Sequence, residues 1–162
     1  MTPSPELLAL DLLRTQRVLV LATSDPDPWP APVYFVRVDG ALAFFSSPRS
    51  RHARAAGSGR PCAGSVHRDA DDWRDIEGLQ MEGTVAEVGA GPGADRAVRA
   101  YVERFPAVRE ILGQPAPGLA RFEEVLGAHL FAFTPVRTWY VNNRAGLAGR
   151  REIRLPPDAP HP

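Results

Sequence analysis

Lysine is missing from this chain: all 19 Lys+Arg side chains are arginines, and 19 Asp+Glu balance them to a formal net charge of zero over 162 residues. The absence leaves any lysine role to Arg or His. The charge balance argues against a nucleic-acid platform, which needs a basic excess over its phosphate partner. With 17 Pro and much Ala and Gly, the bias toward Arg reads as GC-rich codon usage, not as an arginine-rich binding tract. Cysteine is nearly absent too. Cys62 stands alone, which excludes an intrachain disulfide and fits a reducing cytoplasm. No apolar run approaches the roughly 20 residues of a membrane span. Met1-Thr2-Pro3-Ser4-Pro5 has no basic stretch ahead of an apolar core, so no secretory signal is expected. Also lacking are a P-loop, a G-x-G-x-x-G after a strand and a Ser-His-Asp set. The four histidines and single cysteine are too scattered to give ligand spacing, so no metal site is expected.

What is present fits one domain over residues 1–155, with residues 156–162 expected to be a disordered tail. Ser4-Pro5-Glu6 has the signature of a capped helix start, and Leu7, Leu8 and Leu12 give residues 5–16 one apolar stripe. Residues 17–23 (RVLVLAT) read as a buried strand, 24–28 as a turn and 32–38 as a second strand. Asp39-Gly40 is a two-residue hairpin signal leading into a strand over 41–47. A helix is expected at 49–56, and strands at 62–68 and 78–88, the latter holding Gly83 as a bulge or close-approach point. A helix from Asp95 ends before Pro106, and a further turn covers 107–112. Pro135 divides the last long strands into 128–134 and 136–141, and a final strand is expected at 151–155. Hairpins with interspersed helices and no βαβ alternation predict an α+β fold: a six- to seven-stranded antiparallel split β-barrel with flanking helices.

Chemistry concentrates in Phe44-Phe45-Ser46-Ser47-Pro48-Arg49-Ser50-Arg51-His52-Ala53. A strand ends in hydroxyls, the chain turns, and a helix opens with arginines and a histidine in its first turn. Free N–H groups, hydroxyl donors and guanidinium forks at one place suit a phosphate group, although a solvated basic turn has the same composition.

These residues resemble the flavin segment of the pyridoxamine 5′-phosphate oxidase superfamily. There, a hairpin strand with aromatic and hydroxyl residues runs into a Ser-Arg-Lys-Ala turn that grips the FMN phosphate. The resemblance assigns phosphate anchoring to Arg51, His52 in place of the usual Lys, Ser46, and also Ser47 and Arg49. Three further stretches agree in order. Pro32-Val33-Tyr34-Phe35-Val36 resembles the strand along the isoalloxazine ring, so Val33, Tyr34, Phe35 and Val36 are expected to line it. Leu79-Gln80-Met81-Glu82-Gly83 resembles the strand after the acidic loop and brings in Gln80. Trp139-Tyr140-Val141-Asn142-Asn143 resembles the strand whose aromatic residue, here Trp139, reaches the flavin from a second subunit. The match spans residues 5–155 and is closest to a small bacterial branch with the same Arg-His turn, an Arg104-Phe105-Pro106 helix end and a final Trp strand.

Two departures set this chain apart from the oxidase itself. Gly78 stands where that enzyme carries a flavin-contacting Gln, and no Arg-x-His is recognisable in Leu147-Ala148-Gly149-Arg150-Arg151. The resemblance therefore implies a cytoplasmic FMN-dependent oxidoreductase acting on a small molecule, a homodimer with the cofactor at its interface, and no nucleic-acid or membrane partner. Its alternatives are a non-catalytic flavin- or heme-binding protein and a deazaflavin-dependent reductase. No catalytic acid or base is distinguishable. His67 and His129 read as half-buried strand histidines, Cys62 as an inert thiol, and Asp69, Asp71, Asp72 and Asp75 as a solvated loop lacking the Gly and final Glu of a calcium loop.

Overall fold

A computed structural model describes residues 3–146 and 149–158. Leu147-Ala148, Met1-Thr2 and the last residues of the expected tail, 159–162, lie outside the described residues. Helix α1 (Pro5–Thr15) starts as its sequence requires: Ser4 accepts from the Leu7 amide and Pro5 occupies the first turn, where no amide partner is needed. Strands β1 (Val18–Ser24), β2 (Pro28–Tyr34), β3 (Val36–Val38) and β4 (Ala41–Ser46) follow, then α2 (Arg51–Ala56), β5 (Cys62–His67) and β6 (Glu77–Glu87). Helices α3 (Pro92–Arg104), α4 (Pro106–Leu112) and α5 (Leu119–Leu126) precede β7 (His129–Asn142) and β8 (Arg150–Ile153).

The strands form one antiparallel sheet in the order β2-β1-β5-β6-β7-β4-β3, with β8 paired to the outer half of β7. β2 and β3 are consecutive in the chain yet stand at opposite ends of that order, so the sheet must curl to bring its ends together. The expected α+β split barrel is what forms. The exchange happens at Phe35: Tyr34 pairs with Val18 of β1, while Val36 pairs with Ala43 of β4. This corrects the single strand expected over 32–38. β2 also begins earlier, at Pro28, because an end strand tolerates the missing donors of Pro28, Pro30 and Pro32.

Asp39 and Gly40 have φ of 53° and 78°, the left-handed pair that a two-residue hairpin needs. Arg96 on α3 donates to the Asp39 carboxylate at 2.6 Å and ties the turn to the helical layer. β7 runs unbroken through Pro135, where two strands were expected. The register slips between Glu82 and Gly83 so that Gly83 faces Pro135, and Val136, 73% exposed, is the extra residue of the bulge. A proline at a bulge removes no ladder bond, so the strand survives it. The stretch 119–126, left unassigned by the sequence, is α5. Phe45 stacks on its Phe122, with ring centroids 3.7 Å apart, and Gly127 closes it at φ 58°.

Alternation along the strands yields two cores. Leu19, Leu21, Leu42, Phe44, Leu79 and Phe133 fill the barrel. Ala43, Leu130, Val98, Tyr101, Phe105 and Phe122 seal its outer face under α3, α4 and α5. Asp11 of α1 bonds Arg68 beyond the end of β5, at the end of the barrel where β1 starts, whereas α2 packs on β1 and β2 and reaches the loop before Pro28, where β1 ends, so the two helices cap opposite barrel ends. The tail, expected to be disordered from 156, is held in its first part: Arg37 pairs with Asp158 at 2.5 Å and donates to the Pro156 carbonyl.

Candidate functional site

The turn between β4 and α2 carries the site because each of its polar groups is placed by the backbone it caps. Ser50 opens α2 and accepts from the Ala53 amide at 3.3 Å. That bond corrects the helix start from 49 to 51. Ser46, the last residue of β4, shares the barrel-facing parity of Phe44 and aims its hydroxyl at the incoming helix. There the His52 Nε2 lies 2.8 Å from Ser46 Oγ and 3.3 Å from Ser50 Oγ, and the two hydroxyls are 3.2 Å apart. The structure thus brings Ser46, Ser50 and His52 into one half-buried cluster of exchangeable donors and acceptors. Ser47 accepts from the Arg49 amide at 3.3 Å, a bond local to the turn, and the Arg49 side chain is exposed.

Arg51 reaches the other way. Its guanidinium lies 4.7 Å above the Trp29 ring, donates to the Asp27 carbonyl at 3.2 Å and stands 3.8 Å from the Asp27 carboxylate. A third of its side chain remains exposed. Sequence reading did not single out Trp29 or Asp27. The contact with Asp27 spans 24 residues, and nothing local signals either partner.

Burial lowers the proton affinity of His52 below the ordinary imidazole value. The unfolded chain takes up a proton here at a higher pH than the folded chain does. The site's contribution to stability is therefore complete above pH about 6.5 and is lost as pH falls through the lowered folded value. His52→Gln should reduce the acid sensitivity of the urea midpoint below pH about 6.5. Parallel wild-type and variant curves across that range would show that His52 is not the titrating group.

The remaining sequence-designated residues divide between the two faces of the sheet. Phe35 and Val36 have buried side chains in the two cores, so only their backbone is free to flank a ligand. Val33 packs partly on the barrel core, and Tyr34, 52% exposed, stacks on Phe105 at 4.7 Å. Pairing places Pro32, Val20, Ser65, Gln80 and Trp139 in one row across the outer face. Gln80 is thus beside Trp139, over whose ring the guanidinium carbons of Arg137 and Arg150 stand at 4.5 and 4.6 Å. Along β7, however, Trp139 stands ten residues beyond His129, the partner of Ser46, a rise of roughly 33 Å in extended strand. A single chain does not bring it to the turn cluster.

The other candidates have settled partners. Cys62 donates to the Gly83 carbonyl at 3.6 Å, and burial pushes its thiol up to about 11, which leaves little thiolate at neutral pH. His129 bridges Glu87 at 2.6 Å and Glu123 at 3.5 Å. A cleft of about 540 Å³ beside the acidic loop is lined by Arg68, Asp69, Asp71, Asp75, Glu77 and Arg144. Its arginines are already paired, Arg68 with Glu77 and Arg144 with Asp75. Among the described residues no three His, Cys, Asp or Glu side chains converge as a metal-binding group, and no helix is long and apolar enough to cross a membrane.

No protein-family profile matches the chain. Over 77 residues it is 34% identical to the UPF0306 protein YhbP of Salmonella schwarzengrund, covering 48% of this chain and 50% of that protein. The chain thus spans about half the length of the curated relatives it matches. Among solved structures it is similar to the heme binding protein from Mycobacterium smegmatis, with a TM-score of 0.72 and 16% identity over 94% of this chain and 59% of that one. It is also similar to a FAD-binding protein from Mesorhizobium loti, with a TM-score of 0.61 and 17% identity over 91% and 94% of the two chains. Identities this low establish the fold: a split barrel whose structural neighbours include heme- and flavin-binding proteins.

Proposed function

We propose that the chain is a cytoplasmic FMN-dependent oxidoreductase for a small-molecule substrate, acting as a homodimer with the flavin between subunits. The observation that carries the reading is the convergence of Ser46, Ser50 and His52 within 2.8–3.3 Å, with Arg51 on the next position of the same turn. Hydroxyls, an imidazole and a guanidinium fork make a donor set that fits a phosphate monoester. Arg51 would bear the phosphate charge, while the neutral His52 and the two hydroxyls would donate to its oxygens. When bound, the isoalloxazine would supply the hydride or electron transfer. The backbone of residues 33–36 would flank the ring.

Flavin is favoured over heme because the hydroxyls, imidazole and guanidinium of the turn suit a phosphate monoester, a group that heme does not carry. The lone Cys62 suits a reducing compartment. The absorption spectrum of purified protein, with mass spectrometry of the released ligand, tests the reading. Flavin bands support it, whereas a Soret band or a deazaflavin mass would replace FMN by one of the alternatives. Arg51→Ala should weaken FMN binding by about 1.5–3 kcal/mol, the weight of hydrogen bonds to a charged group. Unchanged calorimetric affinity would remove the phosphate assignment.

The dimer is supported by the outer sheet face. Val18, Ala22, Pro30, Pro32, Tyr34 and Ala63 leave it exposed and largely apolar. Moreover, Trp139 would meet a cofactor held at the turn from a second copy. Sedimentation equilibrium should return twice the chain mass, and Ala22→Arg, at the centre of that face, should return the monomer. A wild-type protein that sediments as a single chain would rule out the shared site.

A further inference from the structure

We infer that the β1–β2 loop governs anion access to Arg51, with the Asp27 carboxylate as its resident competitor; this deepens the flavin reading and rests on it. Three contacts define the arrangement. The Trp29 ring, 43% exposed, lies under the guanidinium at 4.7 Å, and the Asp27 carbonyl accepts from Arg51 Nη2 at 3.2 Å. These two fix where the fork sits. The Asp27 carboxylate is held differently: it stands 3.8 Å from the same nitrogen, beyond hydrogen-bonding distance, on a side chain 81% exposed.

A phosphate approaching Arg51 would therefore keep the carbonyl and the aromatic platform as positioning contacts and would displace only the carboxylate. Asp27 is a solvent-exposed anion in the β1–β2 loop, and its attraction to Arg51 is that of a solvent-screened pair. It neutralises the guanidinium in the absence of a ligand and repels a ligand's phosphate until it swings away. Trp29 and Asp27 thus act through Arg51 and are positioning residues. The loop sets the cost of filling the phosphate end of the site and leaves the ring end untouched.

The experiment compares FMN with riboflavin, which carries the same ring and no phosphate. Wild type, Asp27→Asn and Arg51→Ala are titrated with both ligands by quenching of flavin fluorescence, and circular dichroism verifies that each variant is folded. Asp27→Asn should tighten FMN binding about two- to fivefold, the weight of an exposed ion pair, and leave riboflavin unchanged. The gain should shrink as salt rises. If Arg51→Ala weakens FMN but Asp27→Asn leaves it unmoved, or tightens both ligands equally, the competitor role is wrong and the flavin reading stands. If Arg51→Ala leaves FMN affinity untouched, or the protein takes up neither ligand, the flavin reading falls and this inference falls with it.

Discussion

Gly83→Ala is expected to cost the fold about 4 kcal/mol or more, a large share of the roughly 5–15 kcal/mol that stabilises a domain. A Cβ built on Gly83 would stand 2.2 Å from the Thr134 carbonyl oxygen and 3.0 Å from the Phe133 ring. Neither neighbour has room to yield. Phe133 is fully buried in the barrel, and Thr134 immediately precedes Pro135 in the bulge that sets the β6–β7 register. Relief would require parting the longest strand pair in the sheet, which runs from Glu77 opposite Asn142 to Glu87 opposite Phe131. Gly89→Ala is the matched control. Its Cβ would meet nothing within 4 Å, so its effect should stay within about 0.5 kcal/mol. Urea unfolding followed by tryptophan fluorescence separates the two variants, and similar midpoints for both would mean that the bulge can relax.

Gly83 was legible because a glycine inside an alternating strand has few uses other than a bulge or a close approach. The hairpin at Asp39-Gly40 and the Ser4 cap were legible for the same reason: each is a local solution to a local backbone demand. What escaped was set by distant partners. Residues 33–38 run on in strand-favouring types with no turn residue among them, and nothing at Phe35 announces that the strand on one side pairs with β1 and on the other with β4. Pro135 reads as a break until the slipped register of β6 is seen to excuse its missing amide. Helix α5 had a faint signal in the apolar spacing of Leu119, Phe122 and Leu126 with Gly127 behind it, but Gly118 offers no side-chain cap to mark its start.

The site divides along the same line. Ser46, Ser50 and His52 sit within seven residues of one another, so the turn itself dictates their meeting. Arg51 belongs to that turn, yet its partners Asp27 and Trp29 come from the β1–β2 loop and the start of β2, which the fold and not the local sequence brings near. Gln80 and Trp139 are adjacent because β6 pairs with β7. Their distance from the turn cluster within one chain is what the proposal of a flavin shared between two subunits answers.

Arg104→Ala should lower stability by about 3 kcal/mol and the melting temperature by roughly 6–12 °C. Arg104 ends α3, but its side chain works on α1: it donates to the Leu13 carbonyl at 3.1 Å, to the Arg14 carbonyl at 2.9 Å and to the Gln16 carbonyl. These oxygens lie at the C-terminal end of α1, where a helix leaves its last carbonyls without internal partners. The guanidinium also lies 5.1 Å from the centre of the buried Phe35 ring, at the residue where the sheet exchanges partners. One side chain therefore joins α1, α3 and the β2–β3 junction. Its removal strips donors from three carbonyls and loosens a helix whose Ala9, Leu12 and Leu13 are almost fully buried. Arg104→Lys should recover less than half of the loss, because a compact ammonium cannot span three acceptors as a planar fork does. Thermal melts measure the size of the effect, and hydrogen exchange locates it, with faster exchange expected first in α1 amides. Because α1 and α2 cap opposite barrel ends, the preference for FMN over riboflavin, which reads the phosphate end alone, should be preserved in the variant below its transition. An unchanged melting temperature would mean that α1 holds its place through apolar burial alone.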